Sequence, residues 1–246
     1  MPNPDQIIVA PVMSARQLAL FIRLPRVLYR GLSGYVPPLD MEQKDILHPK
    51  RSPFFTHGKA QYFLAWRGGK PIGRISAQID FLALAQDNGA LDAVDMACVK
   101  PLLAAAEAWL RQFGIERIRG PWTLNSNGES GTMIAGQHEP PMIGIGWHPE
   151  GLGDAIEHAG FAKAMDLFSY KMEVGPEAEK ANRVPKNLRE RLGDVKIRGL
   201  RKDRVPEDAE ILKTIYNDAW EGTWGNVPLT TIEVQTLLKA LKPVLK

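Results

Sequence analysis

Between Tyr62 and Asp80 the chain reads Tyr-Phe-Leu-Ala-Trp, then Arg-Gly-Gly-Lys-Pro, then Ile-Gly-Arg-Ile-Ser-Ala-Gln-Ile-Asp. Two β-rich runs, Tyr62–Trp66 and Ile72–Ile79, thus flank a glycine turn. In the second run Ile72, Arg74, Ser76 and Gln78 alternate with Gly73, Ile75, Ala77 and Ile79. Period-two alternation on both sides of a Gly-Gly turn predicts an antiparallel hairpin, and Gly68-Gly69 supplies the positive φ that such turns require. The rest of the sheet is expected to be built onto this hairpin.

At 246 residues the chain has room for one large domain or two small ones, and its 44% hydrophobic content suffices for a sizeable core. A net charge of +3 leaves no nucleic-acid footprint. The single cysteine, Cys98, excludes an intrachain disulfide, and the histidines lack metal-ligand spacing. The start, Met-Pro-Asn-Pro-Asp-Gln, has no signal-peptide pattern, and no apolar run reaches the roughly 20 residues of a membrane span. A cytoplasmic protein is expected.

Gln6–Val12 reads as a strand and Ala15–Arg30 as a helix, which Pro25 should kink or split. Arg16, Arg23, Arg26 and Arg30 fall in one narrow arc of that helix, beside a wide apolar face. Two readings stay open: a core helix with a solvated arginine edge, or a surface in peripheral contact with an anionic inner membrane. Gly34–Asp40 is read as a turn and Asp45–His57 as an irregular loop. Val99–Phe113 has the clearest helical pattern, with Val99, Leu102, Leu103, Ala106 and Leu110 on one face and Gly114 closing it. Strands are expected at Ile115–Leu124, Pro140–Trp147 and Asp166–Val174, with a helix after His148-Pro149 that ends at Gly160. A polar connector then precedes a second beginning: strand Val195–Leu200 and helices Pro206–Trp220 and Thr231–Leu241. Gly225-Asn226-Val227-Pro228 echoes Gly34-Tyr35-Val36-Pro37. That tail cannot bury its apolar faces alone, so it either begins a further domain or packs on the first one or on a partner.

This order of elements is similar to that of the GNAT acyltransferase fold, an α+β fold with a mixed, mainly antiparallel sheet flanked by helices. The residues that carry the resemblance are Phe63–Trp66 through Gly69–Arg74, the Val99–Gly114 helix, and Leu152–Phe161 with Asp166–Met172. More narrowly, Gly34–Pro38, Pro53-Phe54-Phe55, Gly73–Asp80, Asn125–Gly131 and Trp147-His148-Pro149 resemble a bacterial two-domain GNAT-like family that includes ceramide synthases, which N-acylate sphingoid bases. The resemblance implies a GNAT-like domain over residues 1–175, a linker at 176–194 and the first part of a second such domain at 195–246. It also implies acyl-CoA as co-substrate, a long-chain amine as acceptor, and no metal. Family members cradle the CoA pyrophosphate in a Q/R-x-x-G-x-G/A turn ahead of a helix. Asp92–Lys100 has no glycine, and no convincing fourth strand precedes it. Weak CoA binding by this chain is therefore expected.

Acyl transfer to an amine needs a base, oxyanion donors and groups for the CoA phosphates. Glu129 is the first candidate base, with Asn125, Ser126 and Asn127 as polar neighbours; read plainly, the same loop is a solvated turn. His148 is the second candidate, its unperturbed pKa near 6.5 suiting proton transfer, or else it packs before a helix. Arg74 and Tyr29 complete the expected binding residues, although Arg74, like Lys70, reads as a solvent-facing strand charge. The alternative to an acyltransferase is a non-catalytic GNAT-like module that binds an acyl ligand or completes an assembly. A nucleotide phosphohydrolase comes third, because Arg189-Glu190-Arg191-Leu192 lacks the glutamate pair of its metal-binding helix.

Overall fold

The computed structural model describes residues 5–82, 88–93, 95–124, 127–142, 144–171, 198–201 and 203–241, with isolated positions at 175, 187–188, 191 and 193. The strands β1 (Ile8–Pro11), β2 (Gly58–Arg67), β3 (Lys70–Asp80) and β4 (Asn88–Ala93) form one antiparallel sheet in the order β1-β2-β3-β4. The hairpin is central, and its turn places Gly68 and Gly69 at φ of 54° and 76°. β4 corrects the expectation that no fourth strand exists. Its Asn-Gly-Ala-Leu-Asp-Ala sequence has little β-propensity, but pairing with the long β3 supplies what the sequence lacks.

Alternation along the hairpin sends its two side-chain rows into two separate cores. On one face Phe63, Ala65, Ile75, Ala77 and Ile79 meet α3 (Val99–Arg111) through Val99, Leu102, Leu103, Ala106 and Leu110. α4 (Leu152–His158) joins them through the buried Leu152. On the other face Tyr62 and Leu64 meet Phe21, Ile22 and Leu24 of α1 (Ala15–Leu28) and Leu47 of α2 (Asp40–Leu47). Pro25 does not split α1, which runs on to Leu28, and the Ser14 hydroxyl accepts from the Gln17 amide at its start. α2 and a short 3-10 turn at Pro53–Thr56 replace part of the expected turn and loop at 34–57.

Because α1 covers the second face, the polar row of β3 is not solvated. Arg74, Ser76, Gln78 and Asp80 are all buried. Arg74 donates to the Phe21 carbonyl at 2.6 Å and lies 4.6 Å over the Phe21 ring, so the solvent-facing reading of Arg74 is corrected.

Three expected strands do not form within the described residues. Ile115–Leu124 is irregular, with a single bridge from Trp122 to Ser130, and Pro140–Trp147 is coil. Residues 166–171 are coil too, leaving Leu167, Phe168 and Tyr170 exposed. Of the expected strand at 195–200, residues 198–200 are coil and 195–197 lie outside the described residues, as does most of the 176–194 connector. The two later helices form as expected, as α5 (Val205–Trp220) and α6 (Thr231–Leu241). At the start of α6, Thr230 and Glu233 make a capping box: the Thr230 hydroxyl accepts from the Glu233 amide, and the Glu233 carboxylate accepts from the Thr230 amide.

The tail packs on the sheet domain at three points. Trp224 meets the Trp122 ring at 5.8 Å, with the Arg119 guanidinium 5.2 Å from both rings. Val227 is buried, and its carbonyl accepts from Asn127. Glu233 reaches His57 Nε2 at 3.2 Å while Asp80 holds Nδ1 at 3.0 Å. With both carboxylates ionised, the two contacts are hydrogen bonds only when each ring nitrogen carries a proton.

Candidate active site

The loop that carries Glu129 is closed by its own backbone. The Thr123 amide donates to the Glu129 carbonyl at 2.9 Å, and the Gly131 amide to the Pro121 carbonyl at 2.9 Å. Leu124 enters the loop in the left-handed region at φ 68° with its side chain buried, a conformation that costs a non-glycine residue on the order of 1–2 kcal/mol. Packing of Leu124 against the α1-side core holds it there. Asn125 and Ser126 lie outside the described residues. The tail grips Asn127 twice: its amide donates to the Val227 carbonyl at 3.2 Å, and its Oδ1 accepts from the Tyr216 hydroxyl at 2.9 Å.

His148 is set by a second support. Trp147 packs on Tyr29 and Tyr35 with ring centroids 5.2 and 5.3 Å away, and its indole N–H donates to the Gln137 carbonyl. The buried His148 then accepts at Nδ1 from the Met133 amide at 3.3 Å, so in the neutral ring the proton sits on Nε2. Tyr29 is therefore a buried aromatic support beneath the site.

Glu129 and His148 converge on Gly146. A Cβ placed on Gly146 would stand 3.6 Å from Glu129 Oε2 and 3.1 Å from His148 Cε1. The missing side chain of Gly146 lets a carboxylate and an imidazole, two acceptors of a proton, approach the same stretch of backbone, with too little space left between them for even a methyl group. Both residues are candidates that the sequence had offered. Sequence reasoning missed Tyr216, Val227 and Trp224, which hold the loop from the tail; the Gly225–Pro228 echo was the only sign of that segment's importance.

A cleft of about 450 Å³ opens between the start of α3 and α4, lined by Met96, Ala97, Lys100, Gly151, Asp154 and His158. Just ahead of α3, a carboxylate caps the short 3-10 turn at Met96–Cys98. Asp95 Oδ1 accepts from the Ala97 amide, and the same carboxylate is paired with Arg67. Cys98 beside it is buried, and burial pushes its thiol up to about 12, so no thiolate nucleophile is offered. Among the described residues no group of three or more His, Cys, Asp or Glu could hold a metal ion, and no helix is long and apolar enough to cross a membrane.

The molecule is an α+β protein with helices on both faces of an antiparallel sheet and a carboxylate–imidazole pair held in loops beside it. Two curated sequences are similar to it over nearly its whole length. Over 246 residues it is 41% identical to the bacterial ceramide synthase of Caulobacter vibrioides (strain NA1000 / CB15N), covering 96% of this chain and 64% of that protein. Over 242 residues it is 33% identical to Protein YghO of Escherichia coli (strain K12), covering 96% of this chain and 62% of that one. The chain thus spans under two thirds of the length of either relative. No family model matches it. Two solved structures overlay loosely. One is AAC(6')-Iy in complex with a CoA-containing bisubstrate analog, at TM-score 0.40 and 16% identity over 69% of this chain and all of the other. The second is an aminoglycoside acetyltransferase from a soil metagenome in complex with trehalose, at TM-score 0.38 and 11% identity over 68% of this chain and 97% of the other. Overlap at that level supports no functional argument.

Proposed function

We propose that the chain is part of an acyl-CoA-dependent N-acyltransferase whose acceptor is a long-chain sphingoid amine, as the name of its Caulobacter relative suggests. The observation that carries the reading is the convergence of Glu129 and His148 on Gly146. In this mechanism Glu129 takes a proton from the acceptor ammonium, directly or through His148. The freed amine nitrogen attacks the thioester carbonyl, a C–N bond forms, and the C–S bond breaks. The attacking nitrogen sheds its second proton to water as the adduct collapses, and the CoA thiolate leaves and is protonated by the acid that the base has become. The cleft beside Lys100 and His158 is where the acyl-CoA would lie, with the Lys100 ammonium toward its phosphates. Residues 1–175 act as a GNAT-like domain and 195–246 as the beginning of a second one, joined by 176–194 and working at the cytoplasmic face of the membrane.

A specific observation favours the second reading, a non-catalytic module. Asp95 puts a carboxylate on the short turn just ahead of α3, close to where a pyrophosphate would approach that helix, which fits the missing glycine turn. The test is a thioester-release assay with long-chain acyl-CoA and a sphingoid base. A base typically contributes 10²–10⁴-fold, so Glu129→Gln should lose about that much turnover while calorimetry finds acyl-CoA binding unchanged. Unchanged turnover in Glu129→Gln would remove Glu129 from the mechanism. Absence of acyl-CoA binding to the wild-type chain at high micromolar ligand would favour the module.

A further inference from the structure

The segment that carries α1 and α2 has a clear excess of cationic charge. Residues 14–51 carry seven Lys and Arg against three Asp and Glu, whereas the whole chain has 31 against 28, so the remainder is slightly acidic. Within that segment the four arginines form the exposed edge of a helix whose other face is in the core. The apolar residues beside them divide into two sets. Phe21, Ile22 and Leu24 are buried under the sheet, and Val27 points outward at 59% exposure. At 100° per residue Arg16, Arg23, Arg26 and Val27 share one solvent-facing arc, and Arg30 follows just past the helix end.

The start of α2 extends this surface. Asp40 bridges Arg23 at 3.1 Å and Arg26 at 3.2 Å, and Arg26 also donates to the Pro38 carbonyl. The residues on either side of Asp40 are therefore locked beside the arginine arc, and they are Leu39 and Met41, exposed at 65% and 70%. Glu42 and Asp45 lie on the same helix, but Asp45 is paired with Arg51 and Lys44 lies between them. The result is a face of large exposed apolar side chains beside four guanidinium groups, of which Arg23 and Arg26 share the single carboxylate of Asp40, so that the face keeps a net positive charge. We infer that this face is a docking surface for an anionic lipid bilayer. Leu39, Met41 and Val27 enter the headgroup–acyl boundary, and Arg16, Arg23, Arg26 and Arg30 meet lipid phosphates. Exposed apolar side chains alone would leave the occupant open; the surrounding cations select a negatively charged surface. This inference does not rest on the catalytic reading.

The test is co-sedimentation of the 246-residue chain with vesicles of pure phosphatidylcholine and with vesicles containing about 30 mol% phosphatidylglycerol, at about 0.05 and 0.5 M NaCl. The chain pellets with the anionic vesicles at low salt, and high salt or neutral lipid releases it. Arg16→Glu with Arg30→Glu lowers the partition coefficient by about tenfold or more, because each basic group at such a surface contributes about fivefold. Leu39→Ser with Met41→Ser lowers it as well. Both variants change exposed positions only and should keep the wild-type circular dichroism and melting curve. No pelleting with anionic vesicles at low salt would overturn the inference. So would equal binding to neutral vesicles, or partitioning unchanged in both double variants.

Discussion

Gly146 decides whether Glu129 and His148 can share a space. A methyl group there would press on His148 Cε1 at 3.1 Å, closer than ordinary contact, and the ring is held at the neighbouring Nδ1 by the Met133 amide. Gly146→Ala is expected to displace the imidazole and, if the two side chains act together, to lower turnover about tenfold or more. Its melting temperature should fall only slightly, and parallel activity and unfolding measurements check both. Cys98 gives a second test at this scale. Buried and with its thiol pushed up to about 12, it should resist iodoacetamide at pH 8 in the folded protein and react once denaturant is added. Glu129 and His148 were legible because polar loop residues next to glycine and proline stand out in a sequence. Arg74 was misread for a physical reason. Alternation tells which residues share a face of a strand, but α1 had to be placed before anyone could know that both faces were covered.

For the elements, pairing decided what propensity could not. The hairpin and α3 were legible since their periodicities are long and their turns carry glycine. β4 was not, as its residues are small and polar and only β3 makes them a strand. The reverse happened at 166–171, where clean alternation without a partner strand stays coil. α3 carries the largest share of its core, so Leu102→Ala, at a fully buried site, should cost about 2–5 kcal/mol in a denaturant titration. α5 offers a pH test. Asp208 near its start is buried and bonded first by Arg198, at 2.7 and 2.8 Å, and then by the Arg201 side chain and amide. These bonds hold its carboxyl well below the usual carboxylate range. A folded value below the unfolded one means that the contribution is complete above the unfolded pKa of about 3.9 and is lost as pH falls through the depressed value. The stability gap between wild type and Asp208→Asn should therefore be constant near neutrality and close only in acid well below pH 4. A gap that narrows between pH 7 and 5 would assign the effect to another group.

Across the whole molecule, the question left by the sequence was whether the tail stands apart or packs on the sheet domain. The α5–α6 segment buries its own small core of Ala209, Val234 and Leu238, and it touches the sheet domain at Trp122, Asn127 and His57. The 122–131 loop of the candidate site lies under two of those contacts, so the tail fixes the loop that bears Glu129. Sequence could not show this, since the partners are about a hundred residues apart or more and share no motif. The connector at 176–193 is the expected first site of limited proteolysis, and a cut there separates the two pieces covalently. If the three contacts hold, the fragments should still co-elute in gel filtration after the cut. Trp224→Ala with Glu233→Gln removes the ring contact with Trp122 and the carboxylate that faces His57, leaving the sheet core intact. That variant should release the tail fragment and, with the Asn127 grip weakened, raise hydrogen exchange at the Thr123 and Gly131 amides that close the loop. Fragments that part in the wild type, or a nicked variant that still co-elutes, would mean that these contacts do not hold the tail in place.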